Sequence, residues 1–206
     1  MPPYLAQLIR GELSSRELPE ELDLSLLPAD IIQCLCEQTA QHRLEYGTCI
    51  VWLEENRSLL FKHKVKATPE RPLEIDPACD PDNLDDHPHG VSYVGFFHTH
   101  TPGEEGEALI GFSEDDYRAT LADGENLSIV HNGREFFVLV RVQETWERGV
   151  VSPSVYRKWV KVFDDCLDNN ELSTEEAHFL ANRDICLQTK LAFYQGVTLQ
   201  RLRRVL

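Results

Sequence analysis

The run Val91–His100 constrains this chain most: it is a strongly apolar segment that closes on His98-Thr99-His100. It reads as a strand. Side chains on a strand alternate between faces with period two, so imidazoles at i and i+2 point the same way. The pair can therefore share one metal ion. A carboxylate from a following helix would supply a third ligand and leave the fourth tetrahedral position to water, the open arrangement of a catalytic zinc site.

Ser113-Glu114-Asp115-Asp116 offers that helix start. A Ser followed three residues later by an acid is also a capping box, and acids in a first turn complement the helix dipole. Taken singly, Ser113 and Asp116 read as a cap. The order of the pieces adds the second role, because the histidine strand ends where a loop returns into the helix whose first turn carries Asp116. Asp115 is a weaker stand-in. A hydrolytic metal site also needs a base that does not bind the metal, to take the proton of the attacking water. Glu45 is the candidate, at the junction of a helix and a strand beside Gly47, where the backbone can turn tightly. Glu37, Glu54 and Glu55 are rivals that position alone leaves open. Ser113 could donate a hydrogen bond to an oxyanion.

The rest of the chain supplies the frame. Residues 1–27 have weak periodicity and read as an N-terminal extension, partly ordered at best. Pro28 opens a helix through about Arg43, with Pro in its favoured first turn and Ile31, Ile32 and Leu35 on one side. Thr48–Leu53 and Ser58–Ala67 read as strands joined by a polar turn. Residues 69–90 form a long loop rich in Pro and Asp. Its Asp80-Pro81-Asp82-Asn83 lacks the glycine and glutamate of an EF-hand, and its His87-Pro88-His89 lies where period two is not assured. Residues 101–112 form an acidic loop with Gly103, Gly106 and Gly111. Ser113–Asp123 is a short helix ended by Gly124, and Leu127–Val130 with Glu135–Val142 flank an Asn132-Gly133 hairpin turn. Ser152-Pro153 starts a helix with Val155, Trp159, Val162, Phe163 and Cys166 on its apolar face. Ser173-Thr174-Glu175-Glu176 is a capping box for a last helix that runs to Gly196. The tail Leu199–Leu206 is a final strand or a partner-binding end.

The pattern gives a mixed α+β chain or an α/β/α layering rather than regular βαβ alternation. The units are the extension 1–27, a core over 28–150 and a C-terminal helical segment 151–206 packed on that core. The net charge of −15 disfavours nucleic acid and anionic membranes as partners. No apolar stretch reaches the roughly 20 residues that span a bilayer, and no signal peptide is apparent, so a cytoplasmic location is expected. The six cysteines form no disulfide framework and are expected to stay reduced.

Glu45, then His98-Thr99-His100, then Ser113-Glu114-Asp115-Asp116 resembles the E … H-x-H … S-x-x-D signature of the JAMM (MPN+, JAB-type) metallopeptidases. The resemblance covers roughly Leu44–Arg141. It implies an MPN, cytidine-deaminase-like fold: a curved β-sheet flanked by helices, here with extra C-terminal helices. It implies zinc held by His98, His100 and Asp116, with Glu45 as general base and Ser113 supporting the oxyanion. The implied activity is hydrolysis of a peptide or isopeptide bond, with a protein substrate that in this family is often ubiquitin-like. Thr99 stands where the family usually has Ser, Thr101 separates His100 from Pro102, and the interval from His100 to Ser113 is longer than usual. A non-catalytic MPN-like binding scaffold is the alternative. A thiol hydrolase is a third reading, disfavoured because Cys34 and Cys36 sit mid-helix and Cys49 mid-strand, where inert thiols are expected.

Overall fold

Eight strands join in one mixed sheet in the computed structural model, and helices cover both of its faces. The structure describes residues 3–73, 75, 90–102, 109–123, 125–145, 153–170 and 172–206. In chain order the elements are α1 (Pro3–Ile9), β1 (Glu21–Leu22), α2 (Ala29–His42), β2 (Tyr46–Leu53), β3 (Ser58–Lys66), β4 (Val91–Thr99), α3 (Glu114–Asp123), β5 (Leu127–His131), β6 (Phe136–Val140), α4 (Pro153–Asn170), α5 (Thr174–Thr189), β7 (Ala192–Gly196) and β8 (Leu202–Arg204). The strand order is β1-β8-β7-β6-β5-β4-β2-β3. Every neighbouring pair is antiparallel except β4–β5, which runs parallel and is joined through α3.

Each face has its own core. On one side, Leu5 and Leu8 of α1 and Ile32 and Leu35 of α2 bury against Ile50, Phe97, Ile129, Val138 and Tyr194. On the other, Tyr117 and Leu121 of α3, Trp159 of α4 and Ile185 of α5 bury against Val130, Phe137, Leu139 and Phe193. Strand periodicity explains the division, since Val138 and Val140 face one core while Phe137 and Leu139 face the other.

A bulge sets the facing of the histidines. Ile50 pairs with Gly95 but Val51 pairs with Tyr93, so Val94 is an extra residue in β4. Val94 and Phe97 consequently lie on the same side, in the core under α1 and α2. Phe96, His98 and His100 are left on the side of α3, and the His98 ring meets the Phe112 ring edge-on.

Several expectations are corrected. Residues 3–27 are not a loose extension. Leu5, Leu8, Ile9, Leu13, Leu22, Leu24 and Leu27 are buried in the first core, and β1 pairs with β8. The last helix stops at Thr189, because Lys190 takes a left-handed cap (φ 59°) and Ala192–Gly196 then adds a strand beside β6. The tail contributes β8. Helix α2 starts one residue after Pro28, which is its N-cap, and ends at a left-handed Arg43. The hairpin turn spans 132–135, with Asn132 Oδ1 accepting the N–H of Arg134 and of Glu135. Cys34, Cys36, Cys166 and Cys186 are free thiols. Cys49 is disulfide-bonded, contrary to expectation, and its partner is not among the described residues. The Asp80–Asn83 and His87–His89 motifs, Gly103, Gly106, Gly124, Ser152 and the Val155 side chain lie outside the described residues. Among the described residues no helix is long and apolar enough to cross a membrane.

Candidate metal centre

The end of β4 and the first turn of α3 meet. His98 Nε2 lies 3.1 Å from Asp116 Oδ1, and His100 Nε2 lies 3.3 Å from Asp116 Oδ2. The two Nε2 atoms are 3.1 Å apart. These three residues could hold a metal ion. The separations support that reading: a tetrahedron with bonds of about 2.0 Å has edges of about 3.3 Å. Without an ion, one ring donates an N–H to the other across this gap; with an ion, both Nε2 lone pairs would turn to the metal. Both histidines are buried.

Each ligand is held by its element. His98 sits opposite Gly47 of β2, and His100 extends the pairing past β4, its N–H donating to His131 O at 2.9 Å. Phe96 stacks on His98 with ring centroids 5.9 Å apart. Asp116 closes the cap that begins α3. Its Oδ2 accepts from Ser113 N at 2.7 Å and from Ser113 Oγ at 2.8 Å, and its own N–H donates to Ser113 Oγ at 3.2 Å. The capping box and the candidate ligand are thus one carboxylate, and the two readings of Asp116 coexist.

Glu45 lines the same groove as His98, His100, Ser113 and Asp116, a space of about 1270 Å³. None of Glu37, Glu54 and Glu55 borders it. Val65, Lys66, Thr68 and Arg71 border the groove at the β3 side, and Ala122, Glu125 and Ser128 at the α3–β5 side. Asp115 also borders the groove, but it is exposed and taken up in an ion pair with Arg118 at 2.9 Å.

Charges in the site are interdependent. Burial pushes the Glu45 carboxyl up, the His98 charge partly offsets this, and the result is about 8. Burial pushes the His98 imidazole down, but Asp116, together with Glu45 and Glu125, lifts it to about 8. Burial lowers His100, and its hydrogen bond to Asp116 only partly compensates. Burial would raise Asp116, yet the two histidines hold it well below the usual carboxylate range. A dication in place of the His98 proton would pull Glu45 down as well.

Sequence reasoning missed other parts. Thr99 Oγ1 accepts the N–H of Tyr46, pinning the residue after Glu45. Buried Glu125 at the groove floor accepts from Tyr93 Oη at 2.9 Å and Thr120 Oγ1 at 3.2 Å. Asn182 and His178 of α5 bind the backbone just before Ser113. The one signal for these last two was a polar residue on an otherwise apolar helix face. Cys36 Sγ lies 3.3 Å from His131 Nδ1, but burial pushes this thiol up to about 12, so it stays protonated.

No family model matches this chain, and no curated protein matches it significantly.

Proposed function

We propose that the chain is a zinc-dependent metallopeptidase of the JAMM/MPN+ type with an MPN-like fold, hydrolysing a peptide or isopeptide bond next to a ubiquitin-like or other small protein. One observation carries the reading: His98, His100 and Asp116 converge at metal-ligand separations in a groove that also holds the buried Glu45 carboxyl.

His98, His100 and Asp116 would hold the ion. Bound zinc would lower the pKa of a water molecule to about 7 and polarise the scissile carbonyl. Glu45 would accept a proton from the attacking water and pass it to the leaving amine nitrogen as the scissile C–N bond breaks. Burial raises the proton affinity of Glu45 and a bound dication would lower it, two opposed effects that act on one carboxyl. Ser113 Oγ stabilises the developing oxyanion. In the structure this hydroxyl donates to Asp116 Oδ2, so its O–H has to swing away from that carboxylate to donate to the oxyanion.

The test is a pair of variants assayed on a ubiquitin-like fusion with and without a chelator. Glu45→Gln binds zinc and loses turnover, whereas His98→Ala loses both. Retained turnover in Glu45→Gln removes Glu45 as base. Protein purified without chelator that neither carries nor binds zinc supports the non-catalytic scaffold instead.

A further inference from the structure

Helix α5 lies outside the stretch that carries the sequence signature, yet it grips the backbone that leads into it. Asn182 is fully buried. Its Oδ1 accepts Phe112 N–H at 2.8 Å and Tyr117 Oη at 2.7 Å. Its Nδ2 donates to Phe112 O at 3.0 Å and to His178 O at 2.9 Å. The amide therefore uses both donor hydrogens and both lone pairs, and two of the four bonds clamp one residue, Phe112.

A second contact lies one turn earlier on the same helix. His178 Nδ1 meets Ile110 O at 2.7 Å. A carbonyl can only accept, so Nδ1 carries the proton. Trp159 and Phe163 meet the His178 ring edge-on and hold its plane. Between the two gripped residues, Gly111 takes φ +95°, and a Cβ there would lie 2.6 Å from Asn182 Oδ1. The glycine is what lets the segment come so close to α5.

The gripped segment bears directly on the metal centre. Ser113 and Asp116 follow it as the cap of α3, and the Phe112 ring packs edge-on against both His98 and Tyr117. A shift of Phe112 therefore moves one candidate ligand through the backbone and a second through ring contact.

We infer that Asn182 and His178 are positioning residues: through the backbone of Ile110–Phe112, α5 sets where Ser113 and Asp116 stand relative to His98 and His100. The C-terminal helices are then part of the site's construction. For turnover this rests on the metallopeptidase reading; for metal binding it does not.

The experiment measures zinc affinity, thermal stability and, on a cleavable fusion, kcat and KM for Asn182→Leu and Gly111→Ala. The first removes the clamp from the helix side and the second displaces it from the loop side. Thr145→Val is the control. Thr145 Oγ1 donates to Lys190 O at the far end of α5, so its loss weakens the seating of the helix away from the site. We expect zinc binding about tenfold weaker or more in the two clamp variants, the effect of disturbing groups that orient metal ligands. kcat falls while KM is unchanged. In Thr145→Val the melting temperature drops with zinc affinity intact. If Asn182→Leu or Gly111→Ala melts earlier but binds zinc like the parent protein, the inference is overturned. Should Asn182→Leu not fold, Gly111→Ala decides on the same readout. If no variant and no parent protein cleaves any substrate, the proposed activity fails while zinc affinity still decides the clamp.

Discussion

Thr99 Oγ1 accepts the backbone N–H of Tyr46 at 3.1 Å, which ties the start of β2 to the strand that carries both histidines. Thr99 points away from the metal centre because it lies between them in a period-two strand. It meets Thr39 of α2 on that side. The residue between the two candidate ligands thus fixes the neighbour of the candidate base. Thr99→Val keeps the shape and removes the acceptor. It is expected to leave zinc binding unchanged and to lower kcat by on the order of tenfold to a hundredfold, the effect of misplacing a reacting group. Loss of this buried bond also lowers stability by about 1–3 kcal/mol. Zinc titration, steady-state kinetics and thermal melting check the three parts. An unchanged kcat would show that Glu45 is placed without Thr99.

What the sequence made legible was local. Period-two alternation put His98 and His100 on one face, and the Ser-x-x-Asp and Ser-x-x-Glu patterns marked two caps that form at Ser113 and Ser173. What it hid depends on distant backbone. Phe112 is invisible as a partner of Asn182 because the two lie 70 positions apart and the bonds use main-chain atoms. The end of α5 is hidden because Lys190, not a glycine, adopts the left-handed cap. The N-terminal region gives little signal because α1 has only 7 residues and β1 only 2, too short for periodicity to register. Their order comes from burial of Leu5, Leu8 and Leu22, a tertiary effect.

Zinc binding is expected to strengthen with pH. The folded protein without metal holds His98 up near 8, above its ordinary 6.5. A raised group contributes stability that is complete below its unfolded pKa and is lost as the pH climbs through the folded value. Glu45 acts in the same direction, raised from 4.5 to about 8. Asp116 has the opposite sign: held low, it contributes above 3.8 and the contribution is lost as the pH falls through its lowered value. His100 is also lowered, so acid below 6.5 weakens the fold by charging a group that prefers neutrality. Zinc must displace the His98 proton, which becomes easier as the pH approaches 8. The zinc-induced rise in Tm therefore grows between about pH 6 and about pH 8.5, measured against a chelated sample at each pH. A rise that does not change across this range would remove His98 as a ligand that has to lose a proton.

Two glycines of the central strands should respond differently to a methyl group. Gly95 of β4 pairs with Leu127 of β5, and a Cβ at Gly95 would run into the Leu127 carbonyl oxygen. That oxygen belongs to the backbone of a fully covered parallel pair, so neither strand can yield. Gly95→Ala is expected to lose about 3 kcal/mol or more, or to fail to fold. At Gly47 a Cβ would lie 2.5 Å from Phe96 Cζ and 3.1 Å from Phe97 O. The closer clash is with the tip of a ring that borders the groove and can move into it. Gly47→Ala is therefore expected to fold with a stability loss of about 1–3 kcal/mol. Because the displaced Phe96 ring stacks on His98, zinc affinity should fall together with it. Thermal melts and zinc titration of the two variants check this. A stable Gly95→Ala protein would show that β4 and β5 can separate, and parent-like zinc affinity in Gly47→Ala would show that Phe96 does not set the position of His98.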